Sequence, residues 1–369
     1  MKGLLYIIRV IVGVLFIFSG LIKANDPTGL GYKMEEFFDV WGMGFLDSYS
    51  LAFAYLMNLF EIVAGVAILI GWRMKLFSWL LLLLIIFFTF LTGYAMFSDK
   101  IKTCGCFGDC IPLTPAMSFT KDLVLTALIL VIFKNRNKIQ PAFNSFFGNV
   151  IIGFTVLFCV VSQWYVLLHL PVFDCLPYKK GKNLVEQMKI PAGALPDSFS
   201  MKFIYKRNGK ELMFDQDSLP ADLDSTYIFI DRKQKLVRAA TGFALIENFN
   251  FYNLNGTDTT QEILNQPGEY VLLLLKDADK VGEGWSSNAL IVSNACLEKH
   301  IPFFVVTGTT ESAQKQLPAN NAIQYLKCDV TVIKTAARVT PTYFIMNGPV
   351  VKAKYANVDF SKVIRDLGH

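Results

Sequence analysis

The chain has 369 residues, 53% of them hydrophobic and 18% charged, and its mean hydropathy is +0.41. Ordinary soluble domains carry about 25% charged residues, so this composition excludes a purely soluble globule. The formal charge of +5 comes from 35 basic and 30 acidic residues dispersed along the chain. No Lys/Arg stripe forms, which speaks against a nucleic-acid partner.

Apolar runs of about 18 or more residues mark membrane spans. Residues 4–22 form the first run. It resembles a signal-peptide core but is long and lacks a small-residue cleavage site, so it reads as a retained span. Residues 51–70 and 76–97 give the second and third spans. A shorter run over about 117–133 carries Lys121 and Asp122 in its first turns, and residues 147–170 form the fifth. Basic residues then set the orientation. Lys2 and Arg9, then Arg73 and Lys75, then Lys134, Arg136 and Lys138 fall on one side, which is expected to be the cytoplasm. The loops 23–50 and 98–116, and everything after residue 171, are expected on the opposite, periplasmic face of a bacterial inner membrane.

The periplasmic loop after the third span reads KTCGCFGDC, with Cys104, Cys106 and Cys110 inside seven residues. Disulfides form in that compartment. Cys104 and Cys106 are the candidate redox pair, with Gly105 supplying the backbone freedom that a Cys-x-Cys closure needs. Cys110 is the candidate exchange partner, and Lys121, one turn into the fourth span, is placed to favour a thiolate. Two other readings stay open: a structural disulfide that staples the loop, and a thiolate metal site with Cys175 as fourth ligand. Cys175 lies just outside the fifth span at the same membrane face, and Cys159 lies within that span as a buried, inert residue.

Charged side chains inside a bilayer are costly and usually paired or functional. Glu61 falls near the middle of the second span, and Arg9 in the same half of the bilayer is its expected partner. The alternative is that Glu61 anchors a quinone head group. Lys23 and Asp26 at the outward end of the first span, with Lys121 and Asp122, would ring the cysteine loop with charge.

Residues 1–140, with FSGLIKANDP, the Glu61–Gly65 stretch, CGCFGDC and SFTKD, resemble the DoxX and MauE-like group of small four-helix membrane proteins. CGCFG looks especially like MauE, which is needed to mature a disulfide-rich periplasmic dehydrogenase. DoxX takes its name from a quinone-linked oxidase, and its relatives are placed in membrane thiol or oxidative-stress systems. The resemblance implies a class of membrane thiol chemistry, with no defined reaction; a quinone is the one candidate cofactor.

Beyond the spans, strands and short helices alternate from Gly268 onward and end in a hairpin around NGP and a last helix near 358–366. Residues 251–369 resemble a thioredoxin-like domain, with RVTPTYFIMNGPVV as its cis-proline strand and hairpin, which makes Pro341 the cis-proline. Where that family writes Trp-Cys-x-x-Cys, this chain has WSSNA, placing Ser286 and Ala289 at the two cysteine positions. Such a domain is expected to bind rather than exchange disulfides, with Thr340 and Pro341 holding a partner. Cys296 reads as a core residue and Cys328 as a candidate single thiol at the same edge. Residues 176–250 read as a β-rich connector without a catalytic constellation. His169, His300 and His369 are scattered, which argues against a histidine-based site.

The expected architecture is therefore a multi-pass α-helical membrane bundle of 4+1 spans (1–140 and 141–175), the connector (176–250), and a periplasmic α/β thioredoxin-like domain lacking C-x-x-C (251–369). The expected function is thiol–disulfide exchange with periplasmic protein partners, coupled to a quinone. The competing expectation is a non-enzymatic membrane subunit or scaffold that docks partners through its outer domain.

Overall fold

The structure, a computed structural model, describes residues 2–98, 100–101, 105–194, 198–207, 210–215, 218–220, 223–224, 226–238, 242–282, 284–317 and 323–368. The chain forms two compact units, Met1–Gly181 with Asn250–His369, and Lys182–Phe249.

Five helices are long and apolar enough to cross a bilayer. In chain order the helical half comprises α1 (Lys2–Asn25), α2 (Pro27–Val40), α3 (Ser50–Ile70), α4 (Met74–Ser98), α5 (Pro115–Lys134) and α6 (Ser145–Leu168). All but α2 are spans, and a 3-10 turn over Gly44–Tyr49 extends the second. Their outward faces are apolar, as at Leu83, Phe90, Phe154 and Phe158, which suits lipid as the surrounding solvent. The bundle core holds Val12, Phe16, Ala64, Ile68, Leu81, Ile85, Ile129 and Ile132.

Small residues set the register between α1 and α3. A methyl group on Gly65 would lie 2.9 Å from the Gly13 carbonyl oxygen, and one on Gly20 would meet Ile62. The two backbones are therefore in close contact, as small residues permit between membrane helices. Because the helices are antiparallel, this register carries Lys23 opposite Glu61 and leaves Arg9 opposite Leu69. The remaining contacts use hydroxyl and amide groups. Thr89 and Thr126 join α4 to α5 at 3.3 Å, and Asn58 donates to Gln163 across α3 and α6 at 3.1 Å.

Helix α2 was not expected; the sequence reading leaves residues 23–50 as a loop. It starts where Asp26 accepts from the Gly29 amide at 2.8 Å, with Pro27 in the first helical position. Asp-Pro at that spot is a helix-start signal, but a helix bearing Lys33, Glu35, Glu36 and Asp39 has no span-like hydropathy to announce it.

In the same unit, an α/β domain follows Asn250. Its sheet has the order β6-β5-β4-β7-β8. Here β4 is Glu269–Leu275, β5 Phe303–Thr307, β6 Ile323–Lys327, β7 Thr342–Asn347 and β8 Val350–Ala356. β4 pairs parallel with β5 and antiparallel with β7. With its neighbours on both sides it reads as a continuous apolar run, as a doubly covered central strand should. One sheet face packs on α9 (Trp285–Glu298) and α12 (Phe360–Asp366) through Trp285, Ala289, Val292, Cys296, Val363 and Leu367. Short helices α8 (Thr260–Leu264), α10 (Thr310–Gln316) and α11 (Val330–Ala336) complete the domain. The peptide bond between Thr340 and Pro341 is cis.

The second unit has β1 (Ser198–Arg207), β2 (Lys210–Asp215) and β3 (Ile228–Arg238) in a three-stranded antiparallel sheet of order β2-β1-β3, with a short helix α7 (Leu184–Gln187). Tyr205 gathers Phe214, Tyr227 and Phe229 around its ring.

Candidate functional site

The cysteine loop folds over the end of α1, and its two ends fall on opposite sides of that helix. Gly105 and Gly108 adopt φ of +67° and +54°, a left-handed backbone that favours glycine. The Gly108 amide donates to the Gly105 carbonyl at 3.0 Å, and the Ser19 hydroxyl donates to the Cys106 carbonyl at 3.0 Å. On the bundle side, Cys106 borders a cavity of about 60 Å³ with Phe16, Ser19, Lys23, Glu61, Lys121 and Asp122. On the lipid side, Cys110 borders an apolar groove of about 1010 Å³ with Phe18, Leu21, Ile22 and Asn25. Residues 16, 19 and 23 share one stripe of α1, and residues 18, 22 and 25 share the opposite one.

Cys110 is bonded to Cys175, while Cys106 is a free thiol. The disulfide therefore ties the loop to the segment that leaves α6. Cys104 lies outside the described residues, so the proposed Cys104–Cys106 pair has no structural description. Cys159 is fully buried at the contact of α1, α3 and α6, as expected of an inert span cysteine.

Four of the cavity's charges form two ion pairs. Lys23 pairs with Glu61, both side chains almost wholly buried, and its ammonium lies 4.7 Å from the centre of the Phe88 ring. Lys121 pairs with Asp122 at 2.7 Å, and the Asp122 carboxylate also accepts from Thr92 at 3.0 Å. The expected Arg9–Glu61 pair does not form. Arg9 instead donates to the Leu69 carbonyl at 2.8 Å, the outcome of the glycine-set register described above. Burial holds the Cys106 thiol pKa above its ordinary value and the Asp122 charge adds to this, while Lys121 and Lys23 offset only part of it. Lys121 also lies 5.2 Å from the centre of the Phe107 ring, the residue next to that thiol.

A quinone head group anchored on Glu61 does not fit this cavity. Glu61 is already engaged by Lys23, and about 60 Å³ corresponds to a handful of waters at roughly 10–15 Å³ each. Among the described residues no group of three or more His, Cys, Asp or Glu is arranged to hold a metal ion.

The α/β domain meets the helical half through ion pairs centred on the cis-proline loop. Arg338 donates through Nε to Asp26 at 2.7 Å, through a second nitrogen to Asp109 of the cysteine loop, and through the third to the Lys334 carbonyl at 3.3 Å. Lys334 pairs with Glu35 on α2 at 3.0 Å, Lys354 with Asp174 at 2.7 Å, and His169 with Asp359 at 2.7 Å. Tyr32 of α2 sits among Lys276, Lys334 and Arg338, and burial pushes its hydroxyl up to about 12. Asp26, expected beside the cysteine loop, is thus part of this junction. Sequence reasoning missed Arg338, Glu35, Asp109 and Tyr32; acidic residues on α2 matched by basic ones at 334 and 338 were the available signal.

Thr340 accepts from the Lys276 amide at 3.0 Å, and Pro341 is buried. The residue before them, Val339, follows the docked Arg338, so this edge of the domain faces the chain's own helices rather than open solvent. Cys328, expected at the same edge, is buried with its thiol pushed up to about 12 by burial and Asp329. Cys296 is buried in the core, its thiol also at about 12.

The family described as methylamine utilisation protein MauE matches residues 1–134. The first 134 residues are thus similar to MauE, in a chain whose five long apolar helices mark a membrane protein. A domain of unknown function (DUF8463) matches residues 199–239, within the second unit. Protein TlpB of Flavobacterium psychrophilum is 28% identical over 181 residues, covering 48% of this chain and 46% of that relative. The matched stretch thus spans less than half of the curated relative. No solved structure matches.

Proposed function

We propose that the protein is a membrane thiol–disulfide redox protein in which Cys106 is the working thiol and Cys104 its resolving partner. The observation that supports this most is the placement of a free thiol in a small cavity beside two lysines, each held by a buried carboxylate. Of the charges around it, Lys121 and Lys23 favour the thiolate, which is the attacking species. The Cys106 thiolate attacks one sulfur of a partner's disulfide. A Cys106–partner bond forms, and the partner's other sulfur leaves as a thiolate and takes up a proton. Cys104 then attacks Cys106 of the mixed disulfide, closing a Cys104–Cys106 bond and releasing the partner as a dithiol. The reverse sequence oxidises a partner dithiol. Cys110 and Cys175, joined on the far side of α1, serve to hold the loop in place.

On this reading the loop faces the periplasm of a bacterial inner membrane, with the N-terminus cytoplasmic, and the α/β domain is a thioredoxin-like module without its own exchanging thiols. Cys106→Ser should abolish exchange with a model disulfide peptide in the purified protein, while Cys296→Ser leaves it intact. Full exchange by the Cys106 variant would refute the assignment. A second reading, a non-enzymatic membrane subunit, draws support from the Cys110–Cys175 staple and the internally docked cis-proline edge. A stoichiometric partner retained in mild detergent by the Cys106→Ser protein would favour it.

A further inference from the structure

A second, smaller crevice adjoins the thiol cavity and shares Lys23, Leu30, Lys33 and Gly105 with it. Its walls are the first turns of α2, at Asp26 and Gly29, and the cysteine loop, at Gly108 and Asp109. It adjoins the Cys106 cavity where Arg338 of the α/β domain docks, and Cys106 itself borders only the larger cavity. Arg338 spans the two walls: one nitrogen is bound to Asp26 on α2 and another to Asp109 on the loop. The guanidinium is nearly buried, and its third nitrogen is held by the preceding helix α11 through the Lys334 carbonyl. A planar fork with several fixed donors suits this bridge, and a lysine in its place would hold only one wall well. A methyl group on Gly29 would lie 3.1 Å from the guanidinium, so the arginine also fills the space at the rim.

We propose that Arg338 is a positioning residue for the thiol site: by joining α2 to the cysteine loop it closes the entrance to Cys106, and a partner disulfide reaches the thiol only when the α/β domain releases that bond. The proposal builds on Cys106 as the working thiol, yet the closure itself concerns access and is measured without any exchange. It gives the α/β domain a task that needs no cysteine of its own. Opening would also admit water to the cavity, which lifts the burial that opposes the thiolate and leaves the pull of Lys121 and Lys23.

The test uses the full-length protein in mild detergent and two maleimides, one small and one bulky and charged. Modification is mapped by mass spectrometry at Cys106, with Cys296 and Cys328 as buried reporters of unfolding. Arg338→Gln should raise the ratio of bulky to small labelling at Cys106 by about tenfold, equivalent to ~1.4 kcal/mol in the closed–open balance. Asp109→Asn, at a half-exposed carboxylate on the other wall, should raise it in the same direction by less. Comparing the two reagents separates access from thiol acidity, since acidity moves both rates together. If Arg338→Gln also exposes Cys296 and Cys328, the domain has unfolded and Asp109→Asn alone decides. A ratio at the wild-type value in the folded variants would overturn the proposal, whatever the outcome of the exchange assay.

Discussion

The helical half and the α/β domain surround their free cysteines differently. In the α/β domain Cys296 and Cys328 sit among apolar neighbours, and burial pushes both thiols up to about 12. In the helical half Cys106 is partly exposed, and its cavity is lined by the Lys23–Glu61 and Lys121–Asp122 pairs. Burying charge costs several kcal/mol per ion unless it is paired. A bundle that retains two such pairs beside one thiol has spent stability on local electrostatics that helix packing does not need. On the proposed function, it is the charges sharing its enclosure, and not exposure alone, that set Cys106 apart from Cys296 and Cys328.

The contrast can be broken most forcefully at the Lys23–Glu61 pair. Glu61→Ala leaves the Lys23 ammonium buried without a partner, and breaking a buried pair in this way costs about 3–5 kcal/mol. The expected result is a large drop in the melting temperature of the detergent-solubilised protein, with much of it regained when Lys23→Met is added. Next comes the register that creates the pair. Gly65→Leu drives a side chain into the Gly13 backbone, and overpacking of this kind costs about 1–3 kcal/mol. It should lower the melting temperature and also slow thiol exchange, because Lys23 and Glu61 no longer face the Cys106 cavity together.

Lys121→Met sharpens the comparison at some cost in stability, since it leaves the buried Asp122 carboxylate with Thr92. The lysine charge favours the Cys106 thiolate, so its removal moves the thiol pKa further up. The pH profile of Cys106 alkylation should shift to higher pH, while the profiles of Cys296 and Cys328 stay where they are. The smallest effect is expected at Asp359. Burial would raise its pKa, but Lys362 and His169 outweigh burial and hold the carboxyl below its ordinary value. A depressed carboxylate stabilises the fold above its unfolded pKa, about 3.9, and that contribution is lost as pH falls through the lower folded value. Asp359→Asn should therefore cost about 1 kcal/mol or less at neutral pH, and the gap between variant and wild type should close in strong acid.

The spans were legible because runs such as LLLLLIIFFTFL leave no other option in a chain of this hydropathy. The strands and helices after Gly268 were legible for a similar reason, since short apolar runs separated by Gly, Pro and polar turns have one economical reading. What the sequence hid was pairing. Arg9 and Lys23 are equally basic residues on one helix, and only the close approach at Gly13, Gly20 and Gly65 decides which of them meets Glu61. Three loop cysteines and Cys175 admit several connectivities, and spacing cannot choose among them; folding the loop over α1 joins Cys110 to Cys175 and leaves Cys106 free. The docking of Arg338 onto Asp26 and Asp109 brings together residues more than 200 positions apart, which no local pattern announces.

The central claim is that Cys106 exchanges while the other described cysteines stay as they are. The most direct measurement is a time course of thiol trapping in intact membranes, mapped residue by residue after adding a mild reductant and then oxidised glutathione. The account predicts that Cys106 passes from disulfide to free thiol and back, while Cys159, Cys296 and Cys328 remain unmodified and Cys110–Cys175 stays closed. A Cys106 that never changes state, or a cycle confined to Cys110 and Cys175, would contradict it.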